Sequence, residues 1–235
     1  MFRQLVSLAL LVICVTTAGA VHPEPLRPVA LRDICVTNGE IRMDPDGRLE
    51  INTPSSRAVL RFRSEPVAEI RFTYLGPSEQ SKPLASGELR RQIGIKLRAQ
   101  DTCNLVYAMW HIEPDPRVAV SIKRNPGMSS HEQCHAGGYI NLKPSGEAEP
   151  PKIAVGQTHV LRAEMRGANL FVSADAVEVW HGDLGPVVAG LDGPAGLRTD
   201  NARFAFDYRA GRASQGLAMP RLPTDARGLT RPQRG

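Results

Sequence analysis

A short stretch of the chain gathers most of its reactive side chains. Between residues 88 and 98, Glu88, Arg90, Gln92, Lys96 and Arg98 alternate with Leu89, Ile93, Ile95 and Leu97. Between 106 and 112, Tyr107, Met109 and His111 alternate with Val106, Ala108, Trp110 and Ile112, and further on Ser121 and Lys123 alternate with Val120 and Ile122. Side chains two apart on a strand point to the same side. If these strands are neighbours, Glu88, Arg90, Gln92, Lys96, Tyr107, His111 and Lys123 share one face. Planar polar groups of this kind form paired hydrogen bonds and orient a polar ligand. That chemistry suits a sugar, an acidic one included, although an aromatic content of 5% limits ring stacking. The same set holds what β-elimination on a uronate polymer needs. Arg90 and Gln92 would neutralise the carboxylate, His111 would take the C5 proton and Tyr107 would protonate the leaving oxygen. A decorated face with no ligand is the plain alternative.

Other constellations carry less. Ser129, Ser130 and His131 bring a hydroxyl near an imidazole, without the Gly-x-Ser-x-Gly turn that exposes a nucleophile. Asp44, Asp46 and Gly47 resemble part of a calcium loop, and an ordinary hairpin turn accounts for them. Apart from the cysteine–histidine cluster taken up next, no other spacing calls for a cofactor or metal. Lys123-Arg124 before Asn125-Pro126-Gly127 reads as a strand running into a turn, with a basic pair that could hold an anion. Cys35, Cys103 and Cys134 follow the apolar leader that contains Cys14. A Cys103–Cys134 disulfide is favoured, because both lie near loops that flank a strand pair and an exported chain meets an oxidising compartment; Cys35 is then unpaired. A zinc site of Cys103, His131, Cys134 and His135 is the alternative, without a Cys-x-x-Cys pair to support it.

These residues need strands to carry them, and the composition supplies strands. The 235 residues are 42% apolar and 23% charged, with 21 glycines and 19 prolines, which opposes both disorder and a helical bundle. Leu49 and Ile51, Leu60 and Phe62, and Ile70, Phe72 and Tyr74 continue the two-residue rhythm. The back half reads as a meander: His159 to Met165, a turn at Gly167-Ala168-Asn169, Leu170 to Ala174, a turn at Asp175-Ala176, then Val177 and Val179. Phe204, Phe206 and Tyr208 close it. About ten strands with regular turns predict an all-β sandwich or barrel. Trp110 and Trp180 read as core residues.

The two ends differ from the middle. Arg3, the apolar run from Leu5 to Val15 and Ala18-Gly19-Ala20 read as a signal peptide over residues 1–20, too short to span a bilayer. The expected location is secreted or periplasmic, with no integral membrane segment after cleavage. The formal net charge is +5, but five arginines against Asp225 lie in residues 211–235. Residues 21–210, read as one domain, are balanced, which speaks against nucleic-acid binding. The Pro-containing basic tail at 211–235 is expected to be disordered, with contact to an anionic surface as its sharper role.

Gly156-Gln157-Thr158-His159-Val160-Leu161-Arg162, the hairpin through Val177-Glu178-Val179-Trp180, and Gly193-Pro194-Ala195-Gly196-Leu197-Arg198-Thr199-Asp200-Asn201 running into Phe204-Ala205-Phe206-Asp207 occur in an order that resembles the closing strands of concanavalin A-like lectin/glucanase domains, laminin-G-like ones included. Such hairpins carry Asp-Gly at the tip, where this chain has Asp175-Ala176. The resemblance implies a two-sheet antiparallel jelly roll whose concave face would carry the polar cluster. It implies carbohydrate recognition first, with a polysaccharide lyase or a non-catalytic structural or protein-interaction domain as alternatives, since this fold hosts all three. Jelly-roll lyases use Arg, Gln, His and Tyr as assigned above. The Glu-x-Asp-x-x-Glu strand of jelly-roll glucanases is missing; Glu113 and Asp115 sit in a loop bounded by Pro114 and Pro116.

Overall fold

In a computed structural model, which describes residues 25–213, the chain is built almost entirely of antiparallel strands. In chain order they are β1 (Arg27–Pro28), β2 (Ile34–Asn38), β3 (Arg42–Met43), β4 (Leu49–Ile51), β5 (Ser55–Leu60), β6 (Ser64–Pro77), β7 (Arg91–Leu97) and β8 (Leu105–Glu113). There follow β9 (Arg117–Lys123), β10 (Tyr139–Asn141), β11 (Gly146–Glu147), β12 (Thr158–Arg166), β13 (Asn169–Ala174), β14 (Val177–Asp183), β15 (Gly196–Asp200) and β16 (Ala202–Arg212). One short helix, α1 (His131–Cys134), lies between β9 and β10. The segment 1–20 expected to be a signal peptide and nearly all of the basic tail lie outside the described residues; Arg212 ends β16, its guanidinium 4.8 Å from the Phe62 ring centre. Among the described residues no helix is long and apolar enough to cross a membrane.

The strands form two sheets, as the two-residue rhythm requires. One has the order β11-β14-β13-β12-β6-β16-β4-β3, with β1 added to β16; the other has seven strands in the order β10-β9-β8-β7-β15-β5-β2. Each sheet turns one apolar face to the other. Phe72 from β6 packs edge-on against Phe204 from β16 at 5.5 Å and against Trp110 from β8 of the facing sheet at 5.7 Å. Trp110 and Trp180 are both buried, as the alternation predicted. Aromatic side chains of this size supply much of the area that drives the sheets together.

Two local features decide how the polar face is presented. The first is the disulfide between Cys103 and Cys134, with Cα atoms 5.9 Å apart and 31 residues of separation. It ties α1 to the turn before β8, and closing a loop of that length contributes about 3–4 kcal/mol in the chain-entropy account. The two sulfurs that a zinc site would need are bonded to each other, and Cys35 is the free cysteine among the described residues. The second is the start of β7. The spacing predicted a strand from Glu88, with Leu89 on the apolar side. Instead Leu89 is exposed and the strand begins at Arg91. A tight turn, with Leu84 N–H donating to Glu88 O and Gly87 N–H to Leu84 O, holds Glu88 out of the sheet, and Gly87 at φ 83° permits it.

The β13–β14 hairpin departs from its resemblance in a measurable way. Ala174 pairs with Val177, so Asp175 and Ala176 are the whole loop, and both have positive φ (50° and 67°). Asp175 is well suited: its carboxylate accepts from Val160 N–H at 2.7 Å and lies 2.7 Å from His159 Nδ1. Ala176 has no such compensation, and a left-handed conformation costs a residue with a Cβ about 1 kcal/mol. Ala176→Gly is therefore expected to stabilise the protein by about 0.5–1 kcal/mol, read as a higher denaturant midpoint at unchanged slope. Asp44, Asp46 and Gly47 form the β3–β4 turn, with Arg48 N–H donating to the Asp44 carboxylate at 2.7 Å.

Candidate functional site

The outward face of the seven-stranded sheet collects the side chains that the spacing singled out. On β7, Ile93, Ile95 and Leu97 enter the core while Gln92 and Lys96 face out; on β8, Tyr107 and His111 do the same. The register sets Gln92 opposite His111 and Lys96 opposite Tyr107. Arg90 and Glu88 reach the rim from the preceding turn, form an ion pair, and bring Arg90 Nη1 to 3.5 Å from His111 Nε2. Lys123 faces the same side from β9, but its amine is engaged by Thr102 O at 3.2 Å and His135 O at 2.8 Å, and it lies 3.1 Å from Cys134 Sγ. It anchors the disulfide loop.

Four residues not singled out by the spacing complete the face. β15 lies between β5 and β7, so Arg198 is flanked by Arg57 and Gly94, and Asp200 by Gln92 and Ser55. The Asp200 carboxylate is almost wholly buried. It accepts from Arg57 Nη2 at 2.8 Å, from Arg198 Nε at 2.8 Å and from the Gln92 amide at 2.5 Å. The Arg198 guanidinium lies over the Tyr107 ring, 5.3 Å from its centre, and donates through Nη1 to the Tyr139 hydroxyl at 3.3 Å. Tyr139, which the anchored loop delivers to edge strand β10, stacks on Tyr107 at 6.1 Å and stays 39% exposed. Thus Gln92, Lys96, Tyr107 and His111 form a floor, and Arg57, Arg198 and Tyr139 form the surface above it. Alternation within Gly196–Asp200 does place Arg198 and Asp200 on one face.

The electrostatics are lopsided. Arg57 and Arg198 flank one carboxylate, whose two oxygens take three donors, and Lys96 adds a third amine or guanidine group to the same face. Burial would raise Asp200, but Arg198, Arg57 and Gln92 outweigh it and hold the carboxyl below the usual range. Lys96, 4% exposed, donates no hydrogen bond to the described residues; burial first, then Arg57 and Arg198, pushes its amine well below the ordinary lysine range. Arg57 uses Nη1 on Ser56 O and Thr199 O, whereas Arg198 Nη2 has no hydrogen-bonding partner among the described residues. The Gln92 carbonyl oxygen, also buried, has none either.

His111 and Tyr107 are shifted away from the values that proton transfer at neutral pH wants. Burial, helped by Arg90 and Arg117, lowers the imidazole to about 3, and burial raises the Tyr107 phenol. An unfolded histidine takes its proton near about 6.5. His111 thus opposes folding progressively as pH falls from there towards 3, and has no such effect above it. In an NMR titration the His111 ring is expected to keep its neutral shifts through pH 5; titration near 6.5 would contradict its placement.

No protein-family model matches the chain, and no curated protein sequence does. Solved structures do. The carbohydrate-binding module CBM66 from Bacillus subtilis aligns with a TM-score of 0.52 at 16% identity, over 74% of this chain and 91% of that one. A Crh5 transglycosylase in complex with NAG aligns at 0.45 and 12%, over 79% and 81%. The Caenorhabditis elegans galectin LEC-6 aligns at 0.41 and 8%, over 78% and 99%. The two antiparallel sheets share the sandwich fold of the carbohydrate-binding module, the architecture that the closing-strand resemblance implied.

Proposed function

We propose that this protein is an exported carbohydrate-binding domain whose outward seven-stranded face takes an anionic glycan. The observation that carries the reading is the excess of cations around Asp200. Two guanidiniums, Arg57 and Arg198, share one carboxylate, and Lys96 lies on the same face two residues along from the Arg198 row, so the face has more positively chargeable groups than anions and a ligand can supply the anion. Guanidinium N–H groups suit a carboxylate or sulfate, and Arg198 Nη2 donates to none of the described residues. The exposed Tyr139 ring beside it offers a flat apolar surface for a sugar. The shared fold with a carbohydrate-binding module supports the ligand class, and the intramolecular disulfide supports an oxidising compartment.

Elimination fits less well. Tyr107 and His111 are four residues apart on one strand, about 13 Å at the usual rise, while acid and base must both reach one sugar. With the imidazole lowered and the phenol raised, neither is poised for the step.

Calorimetric titration with an oligogalacturonate and with the neutral oligosaccharide of equal length tests the proposal. Saturable binding of the acidic ligand that weakens with salt, without ultraviolet absorbance from an unsaturated product, is the expected result. No binding of either ligand, or of a panel of sulfated and uronate oligosaccharides, would overturn it and leave a structural or protein-interaction domain.

A further inference from the structure

Lys96 stands out on this face because it is only 4% exposed and donates to none of the described residues. Tyr107 lies beside it on β8 and Gly196 on β15. Arg57 on β5 and Arg198 and Asp200 on β15 are the charged groups whose fields act on it, and Tyr139 and Lys123 lie beyond Tyr107. The one carboxylate among these groups accepts from Arg57, Arg198 and Gln92 and not from Lys96. An ammonium in this position would face two guanidiniums with no acceptor, and an uncharged amine avoids that conflict.

We infer that an anionic group of the ligand binds against Lys96 together with a proton, so that the amine becomes an ammonium only when the anion arrives. This rests on the anionic-glycan reading of the face and adds the proton linkage to it. The step is balanced: the amine nitrogen gains one proton from solvent, the carboxylate or sulfate keeps its charge, and the new ammonium donates to it. The anion supplies the acceptor that the free protein lacks and offsets the repulsion from Arg57 and Arg198. Burial and those two guanidiniums, which depress the amine in the free protein, are consistent with this order of events.

The sign follows from linkage. Where the amine is uncharged when free and charged when bound, each anion brings up to about one proton, and affinity falls about tenfold per pH unit as pH rises. Below that window the amine is charged in both states, and above it in neither, so proton uptake vanishes at both ends.

The test is calorimetric titration of the whole protein with an oligogalacturonate, in buffers of different ionisation enthalpy, over the neutral and alkaline range. A sulfated oligosaccharide is run in parallel to separate carboxylate from sulfate. The expected result is proton uptake approaching one per anion in the wild type. Lys96→Met should bind more weakly, with affinity nearly independent of pH and no proton uptake. Wild-type binding without proton exchange anywhere in the range, or unchanged uptake in Lys96→Met, would overturn the inference and leave the glycan reading standing. The buffer comparison on the wild type decides the matter without the variant. Failure of the wild type to bind either oligosaccharide would remove the glycan reading and the inference with it.

Discussion

Asp200→Asn is expected to destabilise the protein by about 3–5 kcal/mol, the range seen when one member of a buried ion pair is removed. The amide fills nearly the same space but cannot balance the charge. Arg57 and Arg198 would remain in place with only each other and Lys96 for company. Urea unfolding at neutral pH measures the loss. An exposed pair provides the contrast: Asp192→Ala, which removes the partner of Arg63 at the surface, is expected to change stability by less than about 1 kcal/mol. The buried carboxylate also confers a pH dependence. Because the folded Asp200 carboxyl is depressed, its contribution is fully present above the unfolded value of about 4 and is lost as pH falls through the folded value. Asp200→Asn should therefore flatten the acid limb of the stability curve. A variant as stable as wild type, with the same acid limb, would mean that Asp200 is not the counter-ion of this cluster.

The second large effect concerns binding. Arg198→Gln is expected to weaken an oligogalacturonate about a hundredfold, within the roughly 2–5 kcal/mol lost when a buried charged contact is truncated. Arg198 is chosen over Arg57 because its Nη2 donates to none of the described residues, whereas both terminal nitrogens of Arg57 donate inside the sheet. Arg198→Lys keeps a charge but loses the planar fork and its position over Tyr107, so it should recover only part of the affinity. Both variants also weaken the hold on Asp200, so affinities are compared on protein shown to be folded by its near-ultraviolet spectrum. Equal affinity in wild type and Arg198→Gln would place the anion elsewhere.

Much of the sandwich was legible from two-residue alternation. Residues 91–97, 105–113 and 117–123 sort cleanly into a core side and an outward side, and the 158–183 meander turns where glycine and asparagine mark it. The spacing of Tyr107 and His111 also carried information, since an even separation on one strand put both on the outward face. Other features needed tertiary structure. Arg198 and Asp200 share a face by alternation, but nothing local says that their strand lies between β5 and β7, more than 90 residues away in the chain. Lys123 reads as a ligand group by its position, yet the disulfide loop folds over its amine. Leu89 fits the apolar rhythm, and the tight turn at Gly87 takes it out of the sheet.

The most direct test of the account is a nitrogen-15 NMR titration of the intact protein with an oligogalacturonate, following the arginine Nε–H and backbone signals. The account predicts saturable shifts centred on Arg198, Arg57 and Tyr139, with the Nε–H of Arg198 among the most perturbed. Shifts confined to the solvent side of the other sheet, around Phe171 and His181, with Arg198 and Tyr139 unmoved, would contradict it.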